Sequence, residues 1–84
     1  MGVYFHSHAL ERMEERGATE NEVIITVEKG EHFGAKFGRT GFRHNFPFEG
    51  EWRGKYYHTK QIETYAIREK SVNWLVLTVI TRYF

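Results

Sequence analysis

The stretch that decides the fold is Trp74-Leu75-Val76-Leu77-Thr78-Val79-Ile80-Thr81, a nearly continuous run of apolar and β-branched residues. Such a run favours a strand with both faces covered. We therefore expect a strand from Trp74 to Tyr83 in the interior of a sheet. The polar stretch Glu69–Asn73 before it predicts a hairpin connection. Lys55 to Arg68 then provides the long partner strand, with room for a bulge.

Weaker alternation upstream predicts two more strands. The first runs from His32 to Gly38 and places Phe33, Ala35 and Phe37 on one side. The second runs from Phe42 to Phe48, with Phe42, His44, Phe46 and Phe48 on one face. Pro47 predicts that this second strand lies at a sheet edge or ends there. Residues 49–54 read as a loop.

The first 30 residues predict two helices. Residues 7–16 bury a stripe formed by Ala9, Leu10 and Met13 and stop at Gly17 in a left-handed conformation. Thr19 and Glu22 have the spacing of a capping box, which starts a second helix over about 20–29 that ends at Gly30. Its apolar stripe consists of Val23, Ile24 and Val27.

The fold class follows from this order of elements. Helices this short need a sheet to cover, and 84 residues fit one domain. We therefore expect residues 1–84 to form a single α+β domain. Its two short N-terminal helices should pack on one face of a three- to four-stranded antiparallel sheet.

Composition excludes several classes of protein. The chain has no Cys and no Asp, which excludes disulfides, thiolate catalysis, Cys-ligated zinc and EF-hand loops. Its five His residues include no pair at H-x-x-x-H spacing, so we expect neither a metal nor another cofactor. No apolar run is long enough to span a membrane. Met1–His6 lacks the pattern of a secretion signal, so a cytoplasmic location is expected.

Charge is divided unevenly along the chain. Residues 1–31 carry seven Glu against three Lys or Arg, whereas residues 32–84 carry nine Lys or Arg against four Glu. Basic and aromatic residues alternate in the second part, a pattern typical of proteins that stack unpaired bases. Arg43, Trp52, Arg53 and Tyr57 are the residues we expect to contact RNA. The alternative is that one face is simply basic and the aromatic residues form core.

Two groups of residues could carry chemistry. His8 and Arg12 lie one helical turn apart and place a proton carrier beside a phosphate ligand. The alternative is a solvated helix face on which Arg12 pairs with neighbouring glutamates. The second group is the last hairpin, if Glu69 pairs with Trp74.

That register has definite consequences for the two sheet faces. It places Glu63, Tyr65 and Gln61 opposite Ile80, Thr78 and Arg82 on one face. The other face, beneath the helices, then holds Ile62, Thr64, Ala66, Leu75, Leu77 and Val79. The polar face can bind a ligand or partner, or it can hold a simple Glu–Arg pair across two strands.

The segment Ser7-His8-Ala9-Leu10-Glu11-Arg12-Met13-Glu14-Glu15-Arg16-Gly17 resembles the opening H-A-x-x-R-M-x-x-R-G of the bacterial family known as domain of unknown function 4258. Thr19–Gly30 is similar to the family's second helix. Lys60-Gln61-Ile62-Glu63 and Thr78-Val79-Ile80-Thr81-Arg82 look like its closing hairpin. One departure is His6 where the family often has Ser or Thr, so Ser7 is expected to cap the helix instead.

The resemblance implies a RelE-like fold in the barnase/EndoU/colicin/RelE group of metal-independent ribonucleases, many of them toxins of toxin–antitoxin systems. It implies a site that combines His8 and Arg12 with Lys60, Glu63 and Arg82. In an endoribonuclease His8 would carry protons and Glu63 would act as a base. Arg12 and Arg82 would hold phosphate, and Lys60 would stabilise charge.

The alternative function is a non-catalytic module that binds nucleic acid or protein through its sheet face. Exposure of Trp74, Val76 and Ile80 on that face would favour a homodimer or an antitoxin-like partner.

Overall fold

The computed structural model describes residues 2–84, and Met1 lies outside the described residues. The elements in chain order are β1 (Val3–Phe5), α1 (Ser7–Arg16), α2 (Glu20–Lys29), β2 (Glu31–Gly34), a 3₁₀ turn (Lys36–Gly38), β3 (Thr40–Trp52), β4 (Lys55–Glu69) and β5 (Asn73–Tyr83). The bounds of both helices and the long final hairpin confirm the sequence prediction. The expectation that Leu10 belongs to the buried stripe of α1 is wrong, because Leu10 is 42% exposed and only Ala9 and Met13 are buried. No helix within residues 2–84 has the length and apolar character needed to cross a membrane.

The sheet is larger than expected and is mixed rather than antiparallel. Its strand order is β1-β5-β4-β3-β2, and β1 runs parallel to β5 while every other pair is antiparallel. The prediction of three to four antiparallel strands is therefore wrong. It missed β1, which pairs Val3 with Trp74 and Phe5 with Val76. The interior position predicted for the Trp74–Tyr83 strand is confirmed.

The helix ends follow local side-chain chemistry. His6, not Ser7, caps α1, because its Nδ1 accepts a hydrogen bond of 3.1 Å from the backbone N–H of His8. Gly17 has a φ of 75° and ends α1 as predicted. The capping box is also present: Thr19 and Glu22 each accept from the other's backbone N–H, at 3.1 and 2.9 Å.

The core lies between the two helices and one face of the sheet. Its buried residues are Ala9, Met13, Ala18, Val23, Val27, Phe42, Ile62, Ala66, Trp74, Val76 and Val79. Phe42 and Trp74 meet edge to face, with ring centroids 5.0 Å apart. Trp74 and Val76 are 8% and 0% exposed, so the expectation that they form an exposed surface is wrong. Ile80 lies on the opposite sheet face and is half-buried.

The predicted register of the last hairpin is confirmed in the half far from the turn and is wrong in the half next to the turn. Glu63 pairs with Ile80, Tyr65 with Thr78 and Gln61 with Arg82, as predicted. The register then shifts between Tyr65 and Ala66, because β5 carries one extra residue, Leu77. Glu69 consequently pairs with Asn73 rather than Trp74. Trp74 and Val76, instead of Leu75 and Leu77, therefore lie beneath the helices.

Two corrections concern the middle of the chain. The strand predicted from His32 to Gly38 ends at Gly34, and Phe37 lies in the following turn with a φ of 61° and 86% exposure. β3 continues through Pro47 to Trp52, so the predicted loop 49–54 shortens to a tight turn at residues 53 and 54. The strand tolerates Pro47 because β2 covers only residues 40–43, which leaves the rest of β3 at the sheet edge.

Candidate active site

The candidate site lies on the sheet face opposite the helices, which we call the open face because neither helix packs on it. Strand alternation and register place side chains of three neighbouring strands together there. Arg43 of β3 pairs with Glu63 of β4, and Arg82 of β5 lies across from Gln61, two residues away on β4. A single polar cluster therefore spans β3, β4 and β5.

Glu63 is the centre of this cluster. The residue is only 4% exposed, although no helix covers it, because its own partners surround the carboxylate. Oε1 accepts from Arg43 Nε at 3.1 Å and from Arg82 Nη1 at 3.2 Å. Oε2 accepts from the Tyr65 hydroxyl at 2.7 Å. A carboxylate has about four acceptor positions, and these three bonds occupy all but one of them.

The electrostatics of the cluster fix the protonation state of its members. Burial raises the pKa of Glu63, but hydrogen bonds from Tyr65 and Arg43 and the charge of Arg82 outweigh it, so the net pKa lies below its usual value. The hydrogen bond to Glu63 and burial together raise the pKa of the Tyr65 phenol. At neutral pH Glu63 is therefore an anion and Tyr65 a neutral proton donor.

Both arginines reach solvent on the outer side of the cluster. The side chains of Arg43 and Arg82 are 39% and 51% exposed, against 5% for Glu63. Arg43 also pairs with Glu31 at 3.1 Å, and Arg82 Nη1 contacts Gln61 Oε1 at 3.4 Å. Within residues 2–84, neither Nη2 atom donates a hydrogen bond in these contacts. Two guanidinium groups are thus available to an anion from solvent.

A cleft of about 480 Å³ adjoins the cluster. Its lining residues are Phe33, Gly34, Ala35, Lys36, Phe37, Arg39, Tyr65 and Thr78. Phe33 lies between the cleft and the polar cluster. Its ring meets the Tyr65 ring edge to face, with centroids 6.2 Å apart, and its centroid lies 4.8 Å from the Arg43 guanidinium carbon. Tyr65 was expected on this face, but the cleft was not predicted. The one signal of the cleft in the sequence is the density of glycines around Phe37.

Three of the five residues expected to be catalytic, His8, Arg12 and Lys60, do not lie near Glu63. Lys60 lies on the helix face at 6% exposure, and its ammonium group donates to the Gly17 carbonyl and to Glu22 at 2.8 Å. Alternation along β4 separates it from Glu63, three residues away. His8 and Arg12 lie on α1, on the helix side of the sheet, where Arg12 pairs with Glu15 at 3.1 Å.

The residues expected to contact RNA fall into two places. Arg43 is part of the open-face cluster. Trp52 stacks on Tyr83 at 5.0 Å, and Tyr57 lies 5.7 Å from the same ring. Arg53 lies 5.1 Å from the Trp52 ring and donates to the Glu15 carbonyl. These three residues pack near the C-terminal end of α1, because Tyr83 also donates to the Arg16 carbonyl.

The fold and site define an α+β protein with a buried, arginine-held carboxylate on an uncovered sheet face. No family model, curated protein or solved structure matches the chain. Within residues 2–84 no three His or Glu side chains are grouped closely enough to hold a metal ion.

Proposed function

We propose that the protein is an endoribonuclease that cleaves RNA without a metal ion at the open face. The observation that carries this proposal is the anionic Glu63 held between two half-exposed arginines and a tyrosine. Arg43 and Arg82 both contact Oε1 of the carboxylate, so positive charge is supplied by the protein where a cation would otherwise bind. Glu63 is nearly buried, but both of its arginine partners remain accessible to an anion from solvent, which favours a functional reason for the cluster.

The chemistry uses the RNA 2′-hydroxyl as the nucleophile. Glu63 accepts the 2′-hydroxyl proton, the 2′-oxygen forms a bond to phosphorus, and the bond from phosphorus to the 5′-oxygen breaks. Tyr65 donates its proton to the leaving 5′-oxygen and regains one from Glu63 through their 2.7 Å hydrogen bond. Arg43 and Arg82 stabilise the negative charge that builds on the phosphate oxygens. The products are a 2′,3′-cyclic phosphate and a 5′-hydroxyl.

The resemblance of the N-terminal motif to the domain of unknown function 4258 family supports the ribonuclease activity, whereas the open-face site rests on the geometry around Glu63 alone. Under it the fold is RelE-like, the protein acts in the cytoplasm as a toxin, and an antitoxin-like protein covers the open face when activity is restrained. His8, Arg12 and Lys60 are outside the proposed site because the structure places them on the helix side of the sheet.

The proposal is tested in two separate assays: mixed single-stranded RNA in excess EDTA, and ribosomes carrying messenger RNA in a magnesium buffer. We expect cleavage by the wild type, with 2′,3′-cyclic ends, and a loss of roughly 10²–10⁴-fold in Glu63→Gln, the usual contribution of a general base. Glu69→Gln is the matched control, an exposed glutamate on the same strand. Loss of cleavage in Arg12→Ala with full activity in Glu63→Gln would move the site to α1.

A second candidate function is a non-catalytic module that binds a partner through the same face. The observation that favours it is an apolar strip beside the polar cluster, formed by the half-buried Ile67, Leu75 and Ile80. A second copy of the chain or an antitoxin-like protein would bury this strip. In that case RNA stays intact under every condition above, and light scattering on the purified chain reports a dimer if the partner is a second copy.

A further inference from the structure

The cleft beside Tyr65 has the features of a binding site for a flat aromatic group. Phe33, Ala35 and Tyr65 supply apolar surface, and Lys36 and Arg39 add two positive charges to the lining. A volume of about 480 Å³ lies within the range of small-ligand sites. The cleft therefore combines apolar surface with positive charge.

Phe37 is the most unusual residue of this region. Its ring is 86% exposed, more than any other large apolar side chain among residues 2–84. Its φ of 61° is a left-handed conformation that side chains with a Cβ rarely adopt. The Arg39 guanidinium carbon lies 5.8 Å from the ring centroid. Burial does not account for the position of this ring, and its exposed surface is free to stack on a ligand.

We propose that the cleft holds one unpaired nucleobase of the RNA strand, stacked against Phe37. The inference rests on the proposed function, since it names the subsite next to the cleaved phosphate. Tyr65 connects the two, because it lines the cleft and bonds Glu63 at 2.7 Å. A base in the cleft thus places its own sugar and phosphate near Glu63, Arg43 and Arg82. Lys36 and Arg39 complement the neighbouring phosphates.

The test separates binding from cleavage by means of a 2′-O-methyl oligonucleotide that lacks the nucleophile. The oligonucleotide carries one 2-aminopurine, whose fluorescence falls when the base stacks on an aromatic ring. We expect quenching by the wild type and, equally, by Glu69→Gln, the exposed glutamate already used as the control. Phe37→Ala should weaken binding by roughly 5- to 100-fold, the range for loss of one base–aromatic stack. Phe37→Trp should retain the quenching.

Two further variants sharpen the interpretation. Phe37→Leu keeps an apolar side chain but cannot stack, so it should behave like Phe37→Ala. Tyr56→Ala is the matched control, because Tyr56 is an exposed aromatic residue (51%) near the far end of the β3–β4 hairpin. It should bind as the wild type does. Far-ultraviolet circular dichroism of each variant checks that the fold is intact.

Each outcome bears on one proposal at a time. If Phe37→Ala binds as tightly as the wild type while RNA is still cleaved, the nucleobase subsite is overturned and the nuclease stands. If binding depends on Phe37 but no RNA is cleaved, the subsite stands and the proposed nuclease fails. If the wild type neither binds nor quenches the oligonucleotide, the subsite is overturned.

Discussion

Replacing Lys60 with Met will destabilise the fold without removing the chemistry of the open face. The ammonium group is buried with Glu22 at 2.8 Å, where the side chains are 7% and 23% exposed, and it also donates to the Gly17 carbonyl. Removing one member of a fully buried pair costs about 3–5 kcal/mol. Glu22 keeps some exposure and its bond from the Thr19 N–H, so we expect a loss of about 2–3 kcal/mol.

Thermal unfolding followed by circular dichroism measures this loss. For a domain of this size, 2–3 kcal/mol lowers Tm by roughly 10–20 °C. Glu22→Gln together with Lys60→Met should cost less than the sum of the single changes, because the two residues are coupled. RNA cleavage per folded molecule should stay at the wild-type level below the lowered Tm. If the Lys60→Met protein has an unchanged Tm and no cleavage, Lys60 is not structural, and it acts in catalysis instead.

Three other changes probe the remaining structure. The folded pKa of Glu63 lies below its ordinary value of 4.5, so its stabilising contribution is present above pH 4.5 and is lost as the pH falls through the folded pKa. The difference in free energy of unfolding between wild type and Glu63→Gln, measured in urea, should therefore become smaller in acid. A difference that does not change with pH would contradict this. Thr19→Ala should lower the free energy of unfolding by about 1 kcal/mol through loss of the cap, and calorimetry checks it. Gly17→Ala should lower the free energy of unfolding more than Thr19→Ala, because the added Cβ would lie 2.7 Å from the Trp52 ring and residue 17 has a φ of 75°. Equal Tm values for the two variants would contradict this.

Local patterns with one dominant cause were predictable from the sequence. The capping box at Thr19 and Glu22 and the left-handed Gly17 depend on residues within one helical turn, and both are present. The interior strand from Trp74 is marked by its own β-branched residues. The predicted pairing of Glu63 with Ile80 was counted from a Glu69–Trp74 pair that is wrong by one residue, and it holds only because the extra residue Leu77 offsets that error.

Features that depend on tertiary pairing were not predictable in this way. β1 has three residues, too few to show alternation, and it exists because the edge of β5 offers hydrogen bonds to Val3–Phe5. The extra residue at Leu77 exchanges which side chains of β5 face the helices. Pro47 was predicted to lie at a sheet edge or to end its strand, and strand pairing decides for the edge, where its missing N–H is not needed.

Only part of the candidate site could be predicted, because the rest of it also depends on tertiary pairing. Glu63 and Arg82 were placed on one face by register alone, and the structure joins them at 3.2 Å. Arg43 was expected to contact RNA, but its position beside Glu63 depends on the pairing of β3 with β4, which the sequence did not specify. Lys60 was grouped with Glu63 by the family motif, although their odd spacing along a strand separates them.

The most direct test of the central claim uses a DNA oligonucleotide with a single ribonucleotide. If Glu63 activates a 2′-hydroxyl group, the wild type in excess EDTA cuts only on the 3′ side of that ribose and leaves a 2′,3′-cyclic phosphate, while Glu63→Gln leaves the strand intact. Cutting at deoxyribonucleotides, or equal cutting by Glu63→Gln, would contradict the account.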